Sequence, residues 1–395
     1  MPTLSRPAPV PTLSKAAGTD RYQVTNTVTG QSWERIERLT STVPGFPTEQ
    51  YLPSGRQADP DMVKAFGTEM PPAKDVLLHY YPGWNRGTGT PVLLVHGTVV
   101  DATSAWISPH AQPGLAPYLA QHGARVFALT FANRQGDNLA WAEQINDAIA
   151  RIRAVTGANQ VDVISHSKGT VAARALASRM SAPYLGSYRG DIRRLVLIAS
   201  PLQGMDNTYR HASFNLGLYP EKDDPKFNAP LSWDRMLVFG QWVDTRQYAI
   251  VSGSKGYFAG QAQLLARWDK VYPVPEIEQD WYTTYYGGQG FISSSSGIDA
   301  AIAAGGHFMD QLKAHPLDPS VQVAVLSGDR PDIPGIMNEM SGPSDGIVFV
   351  KSATATEDLV RGGARLVAKS TLHMNHMDLI ITNEAHGWVA NALAN

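Results

Sequence analysis

The chain has 395 residues, 43% of them hydrophobic and 17% charged, with a formal net charge of -2. That balance excludes an intrinsically disordered chain and a polybasic surface for nucleic acid or a membrane, and the length suits one α/β domain with a long insertion as well as two domains. Cysteine is absent, which excludes disulfides, thiolate metal sites and a cysteine nucleophile, so any covalent chemistry must use another side chain.

Residues 1–20 are rich in Pro, Ser and Thr and hold no apolar run of signal-peptide or transmembrane length. They read as a disordered arm, as would remain if a signal had been removed. Residues 21–75 read as an N-terminal extension with a hairpin around Gly30. From about residue 76 short apolar runs alternate with helical patterns, the signature of a mostly parallel sheet with helices on both faces.

The strand candidates are Val76 to Tyr81, Pro91 to Val95, Ala124 to Thr130, Val161 to Ser165, Arg194 to Ala199, Val321 to Ser327, Ile347 to Val350 and Leu366 to Thr371. Their runs are continuous rather than alternating, as suits strands buried on both faces. Leu139, Ala142, Ile145, Ala148, Ile149, Ile152 and Val155 recur at three- and four-residue spacing before Gly157, which predicts a helix packed on the sheet. Further helices are expected over about 168–180 and 377–393.

Residues 201–320 break the rhythm. They hold 18 of the 35 aromatic residues and form a connection far longer than a βα unit needs. The stretch reads either as a satellite core or as a cap whose aromatic inner face, with Trp233, Trp242, Trp268 and Trp281 among its members, binds an apolar substrate. The expected division is therefore a core of 76–200 and 321–395 carrying a cap or lid insertion at 201–320.

Ser165-His-Ser-Lys-Gly169 follows an apolar strand and opens a helix, the context of a nucleophile elbow at Ser167. The turn is tight enough to strain the serine backbone, so the positions two before and two after it must be small, as Ser165 and Gly169 are. The plainer reading is a serine that caps a helix. Upstream, Pro91-Val-Leu-Leu-Val-His-Gly-Thr98 lets the backbone amide of Thr98 pair with that of Lys168 as an oxyanion hole, and otherwise reads as an ordinary strand-to-loop turn. His96 precedes the serine and is a poor candidate for the base.

A serine nucleophile needs a general base and a carboxylate to orient it, in the order Ser, acid, His. Asp345, in Gly342-Pro-Ser-Asp-Gly346, is favoured for its turn signature before an apolar run; Asp329 is the runner-up, with Asp332 nearby. His376 follows the last strand candidate and precedes the last helix. His373 is its alternative, while His307, His315 and His386 read as solvated or capping residues.

Leu94-Val-His-Gly-Thr98, the Ser167 elbow, Asp345-Gly-Ile-Val348, Met374-Asn-His-Met-Asp378 and the weaker Ser200-Pro-Leu-Gln-Gly204 span roughly residues 90–380. In that order they resemble the bacterial true lipases of the Pseudomonas and Burkholderia type, and are similar to the thermoalkalophilic Bacillus lipases. The resemblance implies an α/β-hydrolase fold and a serine ester hydrolase with Ser167, Asp345 and His376 as its triad. Thr98 and Lys168 would supply oxyanion amides, no cofactor would be required, and secretion with the signal absent from this chain is expected by the same analogy. It also implies a structural calcium ion bound through Asp378, although a charge at a helix N-terminus explains that residue equally. Ser165, Lys168 and the missing disulfide depart from the pattern. The elbow and its lead-in, Ala154 to Ile164, also look like those of lipase-like polyhydroxyalkanoate depolymerases, so the expected partner is an apolar ester or a polyester. An acyltransferase with the same triad, or a catalytically silent fold that binds an apolar ligand, stands as the alternative.

Overall fold

The computed structural model describes residues 21–52, 55–86, 89–109, 112–212, 230–274 and 279–394. The arm expected at residues 1–20 lies outside them. Nine strands form one sheet: β1 (Tyr22–Val28), β2 (Arg35–Ser41), β3 (Asp75–Tyr80), β4 (Val92–Val95), β5 (Val126–Phe131), β6 (Val161–His166), β7 (Ile192–Ile198), β12 (Gln322–Gly328) and β13 (Arg365–Leu372). Their spatial order is β1-β2-β3-β5-β4-β6-β7-β12-β13. β3 runs antiparallel to both β2 and β5, and from β5 to β13 every neighbour is parallel. An antiparallel strand followed by a crossover that places β5 outside β4 is the α/β-hydrolase arrangement.

Burial on both faces explains why the central strands were legible. Every residue of β3, β4, β5 and β6 is buried, one face packing with Phe127, Ile145 and Leu176 and the other with Ala105, Ile164 and Leu326. The helix Asn138–Thr156 starts where Asp137 accepts from the amides of Leu139 and Ala140 and stops at Gly157, whose φ of 70° is the left-handed C-cap. The parallel run brings the carboxyl ends of β4, β6, β12 and β13 to one edge of the sheet, where open α/β sheets place their sites.

The hairpin expected around Gly30 is present, formed by β1 and β2, and it extends the sheet through β3. β1 reads Tyr-Gln-Val-Thr-Asn-Thr-Val and stays largely exposed, as an edge strand with polar side chains does. Ile347 to Val350 is not a strand. Asp345 Oδ1 accepts from the amides of Ile347 and Val348, at 3.0 and 2.8 Å, which curls the chain into a bridge between Ser344 and Phe349 and then a short helix, Val350–Ala353.

The 201–320 insertion builds a second, antiparallel sheet from β8 (Arg235–Val238), β9 (Gln241–Asp244), β10 (Gly288–Gln289) and β11 (Ser293–Ser295), in the order β10-β11-β8-β9. Two small clusters lie within it, one around Tyr209, Leu265 and Tyr285 and one around Leu231 and Trp233. Its last part rejoins the main core, since Phe308, Met309, Leu312 and Leu317 pack there. The aromatics divide. Trp233, Phe258, Trp268 and Tyr285 are buried, whereas Phe239, Trp242, Tyr282, Tyr286 and Phe291 are exposed.

One buried ion pair ties the hairpin to the sheet's flanking helix. Glu37 in β2 is fully buried and meets Arg151 of the long helix through two hydrogen bonds of 2.8 Å, with Arg35 and the Tyr80 hydroxyl alongside. Burial pushes the Glu37 carboxyl up, but the Arg151 hydrogen bonds and charge outweigh it and hold the group below its ordinary range. Replacing Arg151 by Met would leave the buried carboxylate with only Arg35 and the Tyr80 hydroxyl. We expect a loss of about 3 kcal/mol in chemical denaturation, and a smaller loss for the double replacement Glu37→Leu with Arg151→Met.

Candidate active site

Ser167 stands between the end of β6 and the helix Lys168–Ala177 with φ 53° and ψ -127°, a backbone state that non-glycine residues seldom adopt. Its amide donates to the Ile198 carbonyl at 3.0 Å, and its own carbonyl accepts from the Thr170 amide and hydroxyl. The side chain makes no capping hydrogen bond to the helix, so the capping reading does not describe it. The turn requires Gly169, because a Cβ there would sit 2.3 Å from the His96 carbonyl oxygen. Ser165 is buried in β6 with its hydroxyl on the Val196 carbonyl.

The loop after β4 lies against the serine. A Cβ on Gly97 would approach the Ser167 Cβ to 2.8 Å, so glycine is what permits the contact. Thr98 follows, and the backbone amides of Thr98 and Lys168 donate to no other protein group among the described residues. His96 is buried and pushed down to about 4 by burial. Its Nδ1 donates to the Gly97 carbonyl and its Nε2 accepts from the Phe131 amide, so this neutral ring braces the loop and has no lone pair to spare.

Asp345 and His376 are brought together. His376 Nδ1 donates to Asp345 Oδ2 at 2.8 Å, the His376 amide donates to the Asp345 carbonyl at 2.8 Å, and both residues are buried. A carboxylate can only accept, so Nδ1 carries a proton, and in the neutral ring the lone pair is on Nε2. The His376 carbonyl accepts from Nε2 of His166 at 3.1 Å, with the two rings 4.8 Å apart; this contact sets the histidine loop beside the elbow. His166 itself is pushed well below its ordinary range by burial and by the neighbouring His376.

The runners-up pair with each other. His373 Nδ1 meets Asp329 Oδ1 at 2.9 Å, with both side chains exposed. Asp332 binds Arg330 and Asn375. His307 and His315 are exposed, and His386 is buried with Nε2 on the Ile380 carbonyl.

Lys168 holds more than an amide. Its side chain is fully buried and its Nζ lies 3.2 Å above the Trp141 indole, which stacks on Phe131 at 3.7 Å. Burial pushes the ammonium down to about 7, with the carboxylates of Glu49 and Asp137 opposing. Sequence reasoning missed the segment that touches both Thr98 and Lys168. Gln261, from the insertion, donates to Thr98 Oγ1 at 3.3 Å and to the Gln135 side chain, and Gly260 packs on the Lys168 stem while its amide donates to the Gln135 carbonyl. Only long-range structure reveals this strap, because Gln261 lies 163 residues from Thr98.

A family model described as a domain of unknown function (DUF7379) matches residues 70–208, a stretch that contains Thr98 and Ser167 and ends before Asp345. The chain is similar to a triacylglycerol lipase of Pseudarthrobacter phenanthrenivorans, 26% identical over 309 residues that make up 74% of this chain and 89% of the relative. A triacylglycerol lipase of Burkholderia plantarii is 26% identical, over 74% and 79% of the two chains. Among solved structures, the mature lipase BlEst2 of Bacillus licheniformis aligns over 78% of this chain and 93% of its own, with a TM-score of 0.44 and 12% identity.

Two outcomes follow from the geometry. Gly97→Ala drives a methyl group into Ser167 and should lower kcat for a short ester at least about 100-fold, measured alongside an intact far-UV circular dichroism spectrum. Between pH 7 and the ordinary lysine range the unfolded chain holds a proton on Lys168 that the folded chain has shed, so stability rises with pH across that window. The native protein should therefore gain Tm relative to Lys168→Met between pH 7 and pH 9.5, and equal slopes would contradict the shift.

Proposed function

We propose that this protein is a serine carboxylic ester hydrolase of the lipase and esterase kind, with Ser167 as nucleophile, His376 as general base and Asp345 as the carboxylate that orients it. The observation that carries the reading is the left-handed Ser167 elbow set beside a buried Asp345–His376 pair whose free nitrogen is Nε2. The likeness to triacylglycerol lipases supports it.

In this reading Ser167 Oγ bonds to the acyl carbon as its proton passes to His376 Nε2. The carbonyl oxygen becomes an oxyanion held by the amides of Thr98 and Lys168, at the positive end of the helix that Lys168 opens. The alkoxide leaves with the proton from His376. Water then repeats the sequence on the acyl-enzyme and releases the acid. Every group is supplied by the chain, and no cofactor enters.

An apolar substrate fits the chain's near-neutral charge. The insertion favours an insoluble one, because Phe239, Phe291 and Ile292 stand exposed at its hairpin tips and Phe239 is held there with a φ of 50°. A lipid ester film and an aliphatic polyester share that chemistry.

Ser167→Ala should reduce hydrolysis of a p-nitrophenyl ester by about 10⁴-fold or more with an unchanged melting curve; retained activity, or failure of a fluorophosphonate to label Ser167 in the native protein, would sink the assignment. Asp345→Asn should cost far more activity than Asp329→Asn. A chain-length series of esters run beside a polyester film then separates the two substrates.

A further inference from the structure

The loop that carries His376 is gripped by a cation built from the chain itself. β12 ends at Gly328, and the next residues run beside the histidine loop: the Asp329 amide donates to the Leu372 carbonyl and the Arg330 amide to the Met374 carbonyl, each at 3.2 Å. The Arg330 side chain then joins two carboxylates. Its Nε lies 2.9 and 2.8 Å from the two oxygens of Asp332, and its Nη2 donates to Asp378 Oδ2. Asn375 completes the frame, because its Nδ2 donates to Asp332 Oδ1 at 3.0 Å while its Oδ1 accepts from the amides of Met377 and Asp378 at 3.0 and 2.9 Å. Residues 374–378 are thus fixed on both sides of the histidine.

Asp378 is the residue that the resemblance assigns to calcium, and the donor set does not fit that ion. Calcium asks for six to eight oxygens, several of them carboxylate. Here Asp378 Oδ2 and both oxygens of Asp332 already face one guanidinium, and no group of three or more His, Asp or Glu side chains among the described residues is arranged to hold a metal. A guanidinium is planar and presents its donors as a fork, so it can join two carboxylates with fixed geometry, which a single ammonium cannot.

We propose that Arg330 is the positioning residue for His376, its guanidinium joining Asp332 to Asp378 in the role a divalent cation would otherwise have to fill. The proposal rests on the reading of His376 as the base. Arg330, Asp332 and Asp378 are all partly exposed, and exposed ion pairs contribute little to global stability. The effect of the clamp is therefore expected in the placement of the imidazole rather than in the melting temperature.

The test uses the full chain. Chelation with EDTA and addition of calcium should leave both Tm and kcat of the native protein unchanged. Arg330→Ala should lower kcat for a p-nitrophenyl ester about tenfold with KM little altered, as a displaced base would. It should also broaden the downfield proton resonance of His376 Nδ1–H on Asp345 through faster exchange with water. Arg330→Lys, which keeps the charge and loses the fork, should fall between. A chelator that lowers the native Tm or kcat, with recovery on calcium, would overturn the proposal, and so would an Arg330→Ala protein with native kcat and an unbroadened resonance. The resonance and the chelation melts do not depend on turnover, so a native protein that hydrolyses no ester would count against the Ser167 reading and leave the clamp separately judged.

Discussion

The backbone at Ser167 is the constraint around which the neighbouring loops are arranged. An L-residue in that conformation costs about 1 to 3 kcal/mol, and such a state persists only where the surroundings fix it from several sides. Here the Ile198 carbonyl holds the amide, Thr170 holds the carbonyl, and the chain of β4 presses close enough to demand glycine at both 97 and 169. Because β4 and β6 are parallel neighbours in a sheet buried on both faces, neither strand can shift to relieve the contact. The strain at one residue is thereby balanced by the cooperativity of the whole sheet.

Polarity around the site follows the same economy of position. His96 and His166 are buried and neutral, with ring nitrogens on backbone groups, and they serve as rigid spacers rather than proton carriers. The two oxygens of Asp345 have separate tasks: Oδ1 gathers the amides of Ile347 and Val348, while Oδ2 receives His376. A turn and an oriented imidazole come from one carboxylate, which explains why Asp345 sits in a turn signature and not simply at the end of a strand.

The sheet's interior was legible because strands covered on both faces are mostly apolar, and Val92 to Val95 or Val126 to Leu129 admit little else. β1 showed only through the turn at Gly30, since an edge strand written with Gln, Thr and Asn carries no burial signal. Ile347 to Val350 was apolar for another reason, burial beside a turn, and the carboxylate two residues upstream decided its shape. For the site, the order of Ser167, Asp345 and His376 pointed to positions that the fold does bring to one edge. The rejected pair, Asp329 and His373, proved to be partners too, and the two pairs differ chiefly in burial, which sequence patterns around single residues do not encode. Lys168 stood out as an unusual residue, but its seat on Trp141 and the approach of Gln261 depend on contacts across the chain.

Gln261 and Gly260 bear on how the insertion and the core can be recombined. The insertion is fastened at this point to residues 98, 135 and 168, two of which flank the serine, while Asn138 Nδ2 donates to the Gly260 carbonyl from the start of the long helix. A chimera that exchanged residues 201–320 for those of a relative would leave Thr98 without its glutamine unless the strap travelled with the core.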